Sequence, residues 1–148
     1  MPRPTRDVVV SATGVDRGLG ARTARRAVTA VLDGEGAGPA SVSVTFLSSQ
    51  RMRALNRRTF RRDRATDVIA YGMPHAGRLV ADVYVCPAAA RRAAAARGIP
   101  EREELVRLVV HGTLHALGYD HPDGHDRTES TMWTRQERYV RDVVGGRA

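Results

Sequence analysis

The residues most able to do chemistry stand in one short string, His111-Gly112-Thr113-Leu114-His115-Ala116-Leu117-Gly118-Tyr119-Asp120-His121. His111 and His115 are i and i+4, so on a helix they project from one face about one turn apart. Leu105 to Leu117 is apolar almost all round, broken only by Arg107, His111, Thr113 and His115, and a helix of that kind is buried. Two imidazoles side by side in such a setting are costly unless something pairs with them. A divalent metal does so, and neutral imidazole is its commonest side-chain ligand. Gly118 supplies the αL position that ends a helix, Tyr119 and Asp120 turn the chain, and His121 arrives ten residues after His111. Three neutral nitrogens leave the fourth position on zinc open, as in a catalytic rather than a closed structural site. The expectation is about one Zn2+ per chain, held by His111, His115 and His121.

The spacing resembles the zinc motif of the metzincin peptidases, His-Glu-x-x-His-x-x-Gly-x-x-His. That motif needs a Glu directly after the first His as general base. Here the residue is Gly112, which accepts no proton. The metal geometry is kept and the peptidase base is absent, so a zinc peptidase is the least favoured reading.

The string also resembles that of the YbeY family of bacterial endoribonucleases, factors of ribosomal RNA maturation. Two further segments match in order: Leu55-Asn56 followed by Asp63 and Thr66-Asp67-Val68-Ile69, and Ala81-Asp82-Val83. The resemblance runs from about Val42 to the last helix. It implies a metal-dependent endoribonuclease specific for single-stranded RNA, with ribosomal RNA and the small ribosomal subunit as partners, acting in rRNA processing and ribosome quality control. It also implies His111, His115 and His121 as the zinc ligands. The chain departs from the pattern where many members have Tyr-Arg-Gly after the Asn: the Arg falls on Phe60 and the Gly on Arg61, while Ala65 and Ala81 replace a Pro and a Gly. Arg61 or Arg62 is then the candidate to take over the phosphate contact and to stabilise charge in the transition state. Either water or the ribose 2′-hydroxyl is the nucleophile, and no general base is identified. A rival reading, a ribosome-assembly or RNA-binding factor with a mainly structural zinc, draws on that missing base.

Arg57, Arg58, Arg61, Arg62 and Arg64 put five charges into eight positions. They form either a solvated loop or a phosphate-gripping rim beside the metal. Asp67, Asp82 and Asp120 have three open roles: bonding loop amides, accepting an N–H from a ligand imidazole, or catalysis. His75 and His125 read as surface residues, His125 being close enough in sequence to be an alternative ligand although the spacing favours His121, and Met132 and Trp133 read as core beneath the metal. Tyr119 either stacks on a base or caps an interface.

The elements that must position these groups follow from pattern. Asp7–Ala12 reads as a Val-rich strand, Gly18–Leu32 as a helix ended by a Gly-rich breaker, and Ser41–Leu47 alternates Val42, Val44 and Phe46 like a half-buried strand. Ser48 or Ser49 caps a short helix through Asn56, and a basic loop spans Arg57–Ala65. Strands over Asp67–Tyr71 and Leu79–Val85 are joined by a connection containing Gly72, Pro74 and Gly77. Pro87 and Gly98 bracket an Ala-rich helix, Pro100 opens the next, and a last helix runs from about Arg127 to Val144. The order predicts an α+β fold: one domain over residues 1–148, a small mixed sheet packed with helices, and the zinc site on a buried central helix.

Composition sets the outer bounds. With 148 residues, 42% hydrophobic, the chain can bury one core without staples. No stretch reaches membrane-span length, the N-terminus lacks the apolar run of a signal peptide, and Cys86 stands alone, so a cytoplasmic protein with no membrane partner is expected. The formal charge is +8 and all 24 basic residues are Arg. A surplus of arginine favours a polyanionic partner.

Overall fold

Alternate residues of Ala40–Leu47 (β2), namely Ala40, Val42, Val44 and Phe46, are buried, while Ser41, Ser43 and Thr45 between them are only half-buried. A strand with this period has one face on a core. The computed structural model describes residues 3–15, 18–61, 66–119 and 126–146, with the side chains of 126–130 excepted. In it β2 lies between Arg6–Thr13 (β1) and Arg78–Val85 (β4), both parallel to it, and Val68–His75 (β3) closes the sheet antiparallel to β4, giving the order β1-β2-β4-β3. Val83 and Val85 share the apolar face with Val42, Val44 and Phe46, and the helices Ala21–Gly34 (α1), Glu101–Ala116 (α4) and Asp126–Val144 (α5) bury against it. On the opposite face, Met52 and Leu55 of Ser49–Phe60 (α2) cover Leu47, Ile69 and Cys86. Pro87–Arg97 (α3) follows β4, with Gly98 as its left-handed cap at φ 67°. The fold is the expected α+β, with four strands and five helices among the described residues, in the expected order.

Helix α4 is the centre of the molecule. Leu105, Val106, Leu108, Val109, Val110 and Leu114 are all nearly inaccessible to water. Each such side chain contributes about 1.5–3 kcal/mol by burial. Two glycines let α4 sit directly on the sheet. A Cβ on Gly112 would come within 2.6 Å of Val83 and 3.1 Å of Val68, and one on Gly72 of β3 would stand 2.5 Å from the Ala116 carbonyl. The position that holds a glutamate in the peptidase motif is therefore packed against strands, and a carboxylate there has no room.

Two element ends lie four residues beyond the sequence reading. Ser48 caps α2 by accepting the Arg51 N–H at 3.3 Å, and the helix continues through Phe60 rather than ending at Asn56. Arg57 and Arg58 occupy its last turn, where the helix dipole favours cations, so the basic segment begins as helix and not as loop. Likewise β3 runs on through Gly72 and Pro74 to His75, leaving only Ala76 and Gly77 as the turn. Both turn residues have positive φ, as the tight hairpin turn requires, and an edge strand tolerates the proline.

Glu35, just beyond α1, ties three elements together. It accepts the hydroxyl of Tyr119 at 2.7 Å and that of Tyr139, and pairs with Arg135 at 3.1 Å. Burial pushes its carboxyl up, but the two phenols and the arginine outweigh that and leave it below the usual carboxylate range. Tyr119 thus caps an interface. Among the described residues no helix is long and apolar enough to cross a membrane.

Candidate metal centre

His111 and His115 stand on adjacent turns of α4, half-buried, with ring centroids 5.9 Å apart and planes tilted by 58°. Nδ1 of His111 lies 2.7 Å from Oε1 of Gln136 on α5. An amide oxygen only accepts, so this contact calls for a proton on Nδ1, and in the neutral ring Nε2 would then carry the lone pair. That donor set suits a borderline metal such as zinc, which takes neutral imidazole nitrogen. His121 and Asp120 lie outside the described residues, as do His125, Arg62, Asp63, Arg64 and Ala65. Among the described residues, no group of three His, Cys, Asp or Glu stands together, so the described part of the site is the His111/His115 pair.

His111 lines a cleft of about 190 Å³, whose walls also include Asp67, Arg107, Leu108, Trp133 and Gln136. Two larger hollows, of about 460 and 420 Å³, lie along arginine-lined faces of α5 and α1, and neither is lined by a histidine. Beneath the cleft Arg107, with 7% of its side chain exposed, meets Glu103 at 3.0 Å, Glu104 at 2.9 Å and both oxygens of Glu137 at 2.8 and 2.9 Å. Its bonds with Glu137 hold that carboxyl below its ordinary value against the opposing effect of burial.

Asp67 and Asp82 stand in different surroundings. Asp67 is exposed and lines the cleft with His111. Asp82 alternates with the buried Ala81 and Val83, so it points away from α4, where it accepts the Ser43 hydroxyl at 2.6 Å. That parity excludes an interaction of Asp82 with His111 or His115 on α4. Beside it Tyr84 has its hydroxyl pushed up to about 12 by burial and by its bond with Tyr71. Met132 is core, at 1% exposure, but Trp133 is not: it is 48% exposed at the cleft wall. One residue further along a helix is a 100° rotation, enough to carry Trp133 off the buried stripe. His75 is exposed, as expected.

A family model described as Endoribonuclease YbeY matches residues 13–144. The chain belongs to the YbeY family. An Endoribonuclease YbeY of Thermus thermophilus is 37% identical over 115 residues, covering 74% of this chain and 82% of its own. One from Persephonella marina is 27% identical over 133 residues, 86% of each chain. A solution structure of a Thermotoga maritima protein superposes with a TM-score of 0.62 at 26% identity, covering 93% of this chain and 89% of that one. Family membership gives meaning to one backbone feature. Arg61, where the family pattern has Gly, is the C-cap of α2 at φ 56° and ψ 32°, and its N–H bonds the Arg57 carbonyl at 2.9 Å. A left-handed cap is where glycine costs least, so the pattern's Gly has a structural reason and this chain carries a strained arginine in its place.

Proposed function

We propose that the chain is a zinc-dependent endoribonuclease specific for single-stranded RNA, acting in the cytoplasm on ribosomal RNA of the small subunit, in rRNA maturation and ribosome quality control, with residues 1–148 as one functional domain. The observation that carries this reading is the His111/His115 pair on adjacent turns of α4, with His111 in the cleft wall and against Gln136. His111, His115 and His121 would hold one zinc. Bound there, the ion supplies Lewis acidity toward a phosphoryl oxygen or a water of lowered pKa. The chain's own groups supply the rest. Arg61 is exposed at the end of α2, and the chain runs from it through residues 62–65 to Asp67 in the cleft wall. From that segment Arg61 or Arg62 grips the scissile phosphate and opposes its growing charge. Trp133 offers an exposed aromatic face on which an unpaired base stacks, and such stacking is available only in single strands. Of the two carboxylates that line the cleft among the described residues, Glu104 is committed to Arg97 and Arg107, and Asp67 is the one placed to take the proton from the attacking water or 2′-hydroxyl.

The test is purified full chain on labelled single-stranded and duplex RNA, with metal analysis in parallel. The expected result is about one zinc per chain, cleavage of single strands over duplex, binding that weakens steeply with salt, and loss of both zinc and cleavage in His111→Ala and His115→Ala. Protein without stoichiometric transition metal would sink the metal reading. Equal cleavage of the two RNAs would sink the substrate reading. Zinc-replete protein that binds RNA without cutting it would favour the rival assembly factor.

A further inference from the structure

Gln136 is 2% exposed, and its amide has a partner on each side. Oε1 faces Nδ1 of His111 at 2.7 Å, and Nε2 donates to Glu137 Oε2 at 3.1 Å. Glu137 in turn receives two arms of Arg107. Each link permits one polarity only. A guanidinium has donors and no acceptor, and an ionised carboxylate has acceptors and no donor. Gln136 must therefore turn its NH2 toward Glu137 and its carbonyl toward His111. The ring facing that carbonyl must then carry its proton on Nδ1. Free imidazole side chains favour the opposite form, with the proton on Nε2, so the fold works against the solution preference.

We propose that Arg107, Glu137 and Gln136 form a directed hydrogen-bond chain that locks His111 in its Nδ1–H form and so presents Nε2 to the metal. They are positioning residues, and the inference rests on the reading of His111 as a ligand. Metal-bound histidines elsewhere are fixed by a carboxylate, a backbone carbonyl or water. Here the carboxylate acts one residue removed, through an amide that must be held the right way round. Glu137 is what holds it, and Arg107 is what keeps Glu137 ionised.

The experiment reads the ring nitrogens of His111 by 15N NMR in the full chain, stripped of metal, and measures zinc affinity by competition with a chelator. The wild-type protein should show His111 with Nδ1 protonated. Glu137→Gln removes the obligatory acceptor and frees the Gln136 amide to flip. His111 should then shift toward the Nε2–H form, and zinc should bind about 10–100-fold more weakly. The exchanged pair Gln136→Glu/Glu137→Gln places a carboxylate directly against His111 and an amide against Arg107. It should restore both the Nδ1–H form and the affinity, which a merely structural role for the pair does not predict. A wild-type His111 with its proton on Nε2 overturns the proposal without any variant. An unchanged ring and unchanged affinity in Glu137→Gln overturn it as well. Because the ring is read without metal, zinc-binding protein whose His111 is Nε2–H defeats this inference alone. Failure to bind zinc with His111 held as Nδ1–H defeats the metal reading beneath it.

Discussion

Two buried charges of opposite sign fasten α5 to the rest of the molecule, and they are wired differently. Arg107 on α4 is a cation among Glu103, Glu104 and Glu137. Glu35 beyond α1 is an anion among Tyr119, Tyr139 and Arg135. At Glu35 three donors converge on one carboxylate, so the network holds α1, Tyr119 and α5 together. At Arg107 one branch leads out again, through Glu137 and Gln136, to a ring nitrogen of His111. A converging network stabilises. A directed one can also aim a reactive group.

Breaking the first network should give the larger effect. Arg107→Met keeps an apolar stem but takes the shared cation from three carboxylates, of which Glu104 keeps Arg97 and Glu137 keeps the Gln136 amide. Removing one partner of a buried ion pair costs about 3–5 kcal/mol, and the lower end applies because Glu103 and Glu137 keep 27% and 21% of their side chains exposed. Urea unfolding should show that loss, and the zinc affinity of the folded fraction should fall by about tenfold or more, since Glu137 loses its cation. Undiminished zinc binding would show that the branch to His111 carries no orientation.

Glu35→Gln is the matched test, with a smaller expected loss of about 1–3 kcal/mol for a buried hydrogen-bonded group. The amide still accepts from a tyrosine but no longer attracts Arg135. Zinc affinity should stay at the wild-type value. The pH dependence has a definite sign. The folded carboxyl lies below its ordinary value of 4.5, so Glu35 contributes stability that is fully present above that value. The contribution fades as pH falls through the lowered folded value. Wild type should therefore lose stability on acidification faster than Glu35→Gln, and parallel acid profiles would remove Glu35 from the account.

The two networks were unequally legible in the sequence. The His111/His115 pair shows itself because i and i+4 on an apolar helix is a local pattern, and α4 is buried as that pattern requires. Gln136 left a signal that was there to be read: Met132, Gln136, Tyr139, Val140 and Val143 form one stripe of α5, and all five are buried. A polar residue within an apolar stripe needs a partner. Taking Met132 and Trp133 together as core obscured that stripe. Glu35 left no such signal. It stands in a Gly-rich breaker, and its partners Tyr119 and Tyr139 are 84 and 104 residues away, a distance no local periodicity spans. The helical state of Arg57–Phe60 was hidden for another reason. A run of arginines looks like loop, although in the last turn of a helix it is favourable.

Arg61 combines in one residue the two roles that the networks keep apart, and it gives the smallest stability effect with the sharpest sign. Its φ of 56° costs an L-residue about 1–2 kcal/mol relative to the right-handed region. Glycine escapes that cost but loses about 0.5–1 kcal/mol of chain entropy on folding. Arg61→Gly should therefore raise unfolding stability by up to about 1 kcal/mol, read as a higher urea midpoint at unchanged slope. If Arg61 also holds the scissile phosphate, the same substitution should lower RNA turnover by about tenfold or more with zinc content intact, as expected for losing one charged contact in the transition state. Opposite signs from one substitution would mean that the arginine is kept for its guanidinium despite the strain of its backbone. A more stable protein with undiminished turnover would clear Arg61 of that role. Arg62→Ala should then carry the loss, and a double Arg61→Gly/Arg62→Ala chain at full turnover would show that neither arginine grips the phosphate.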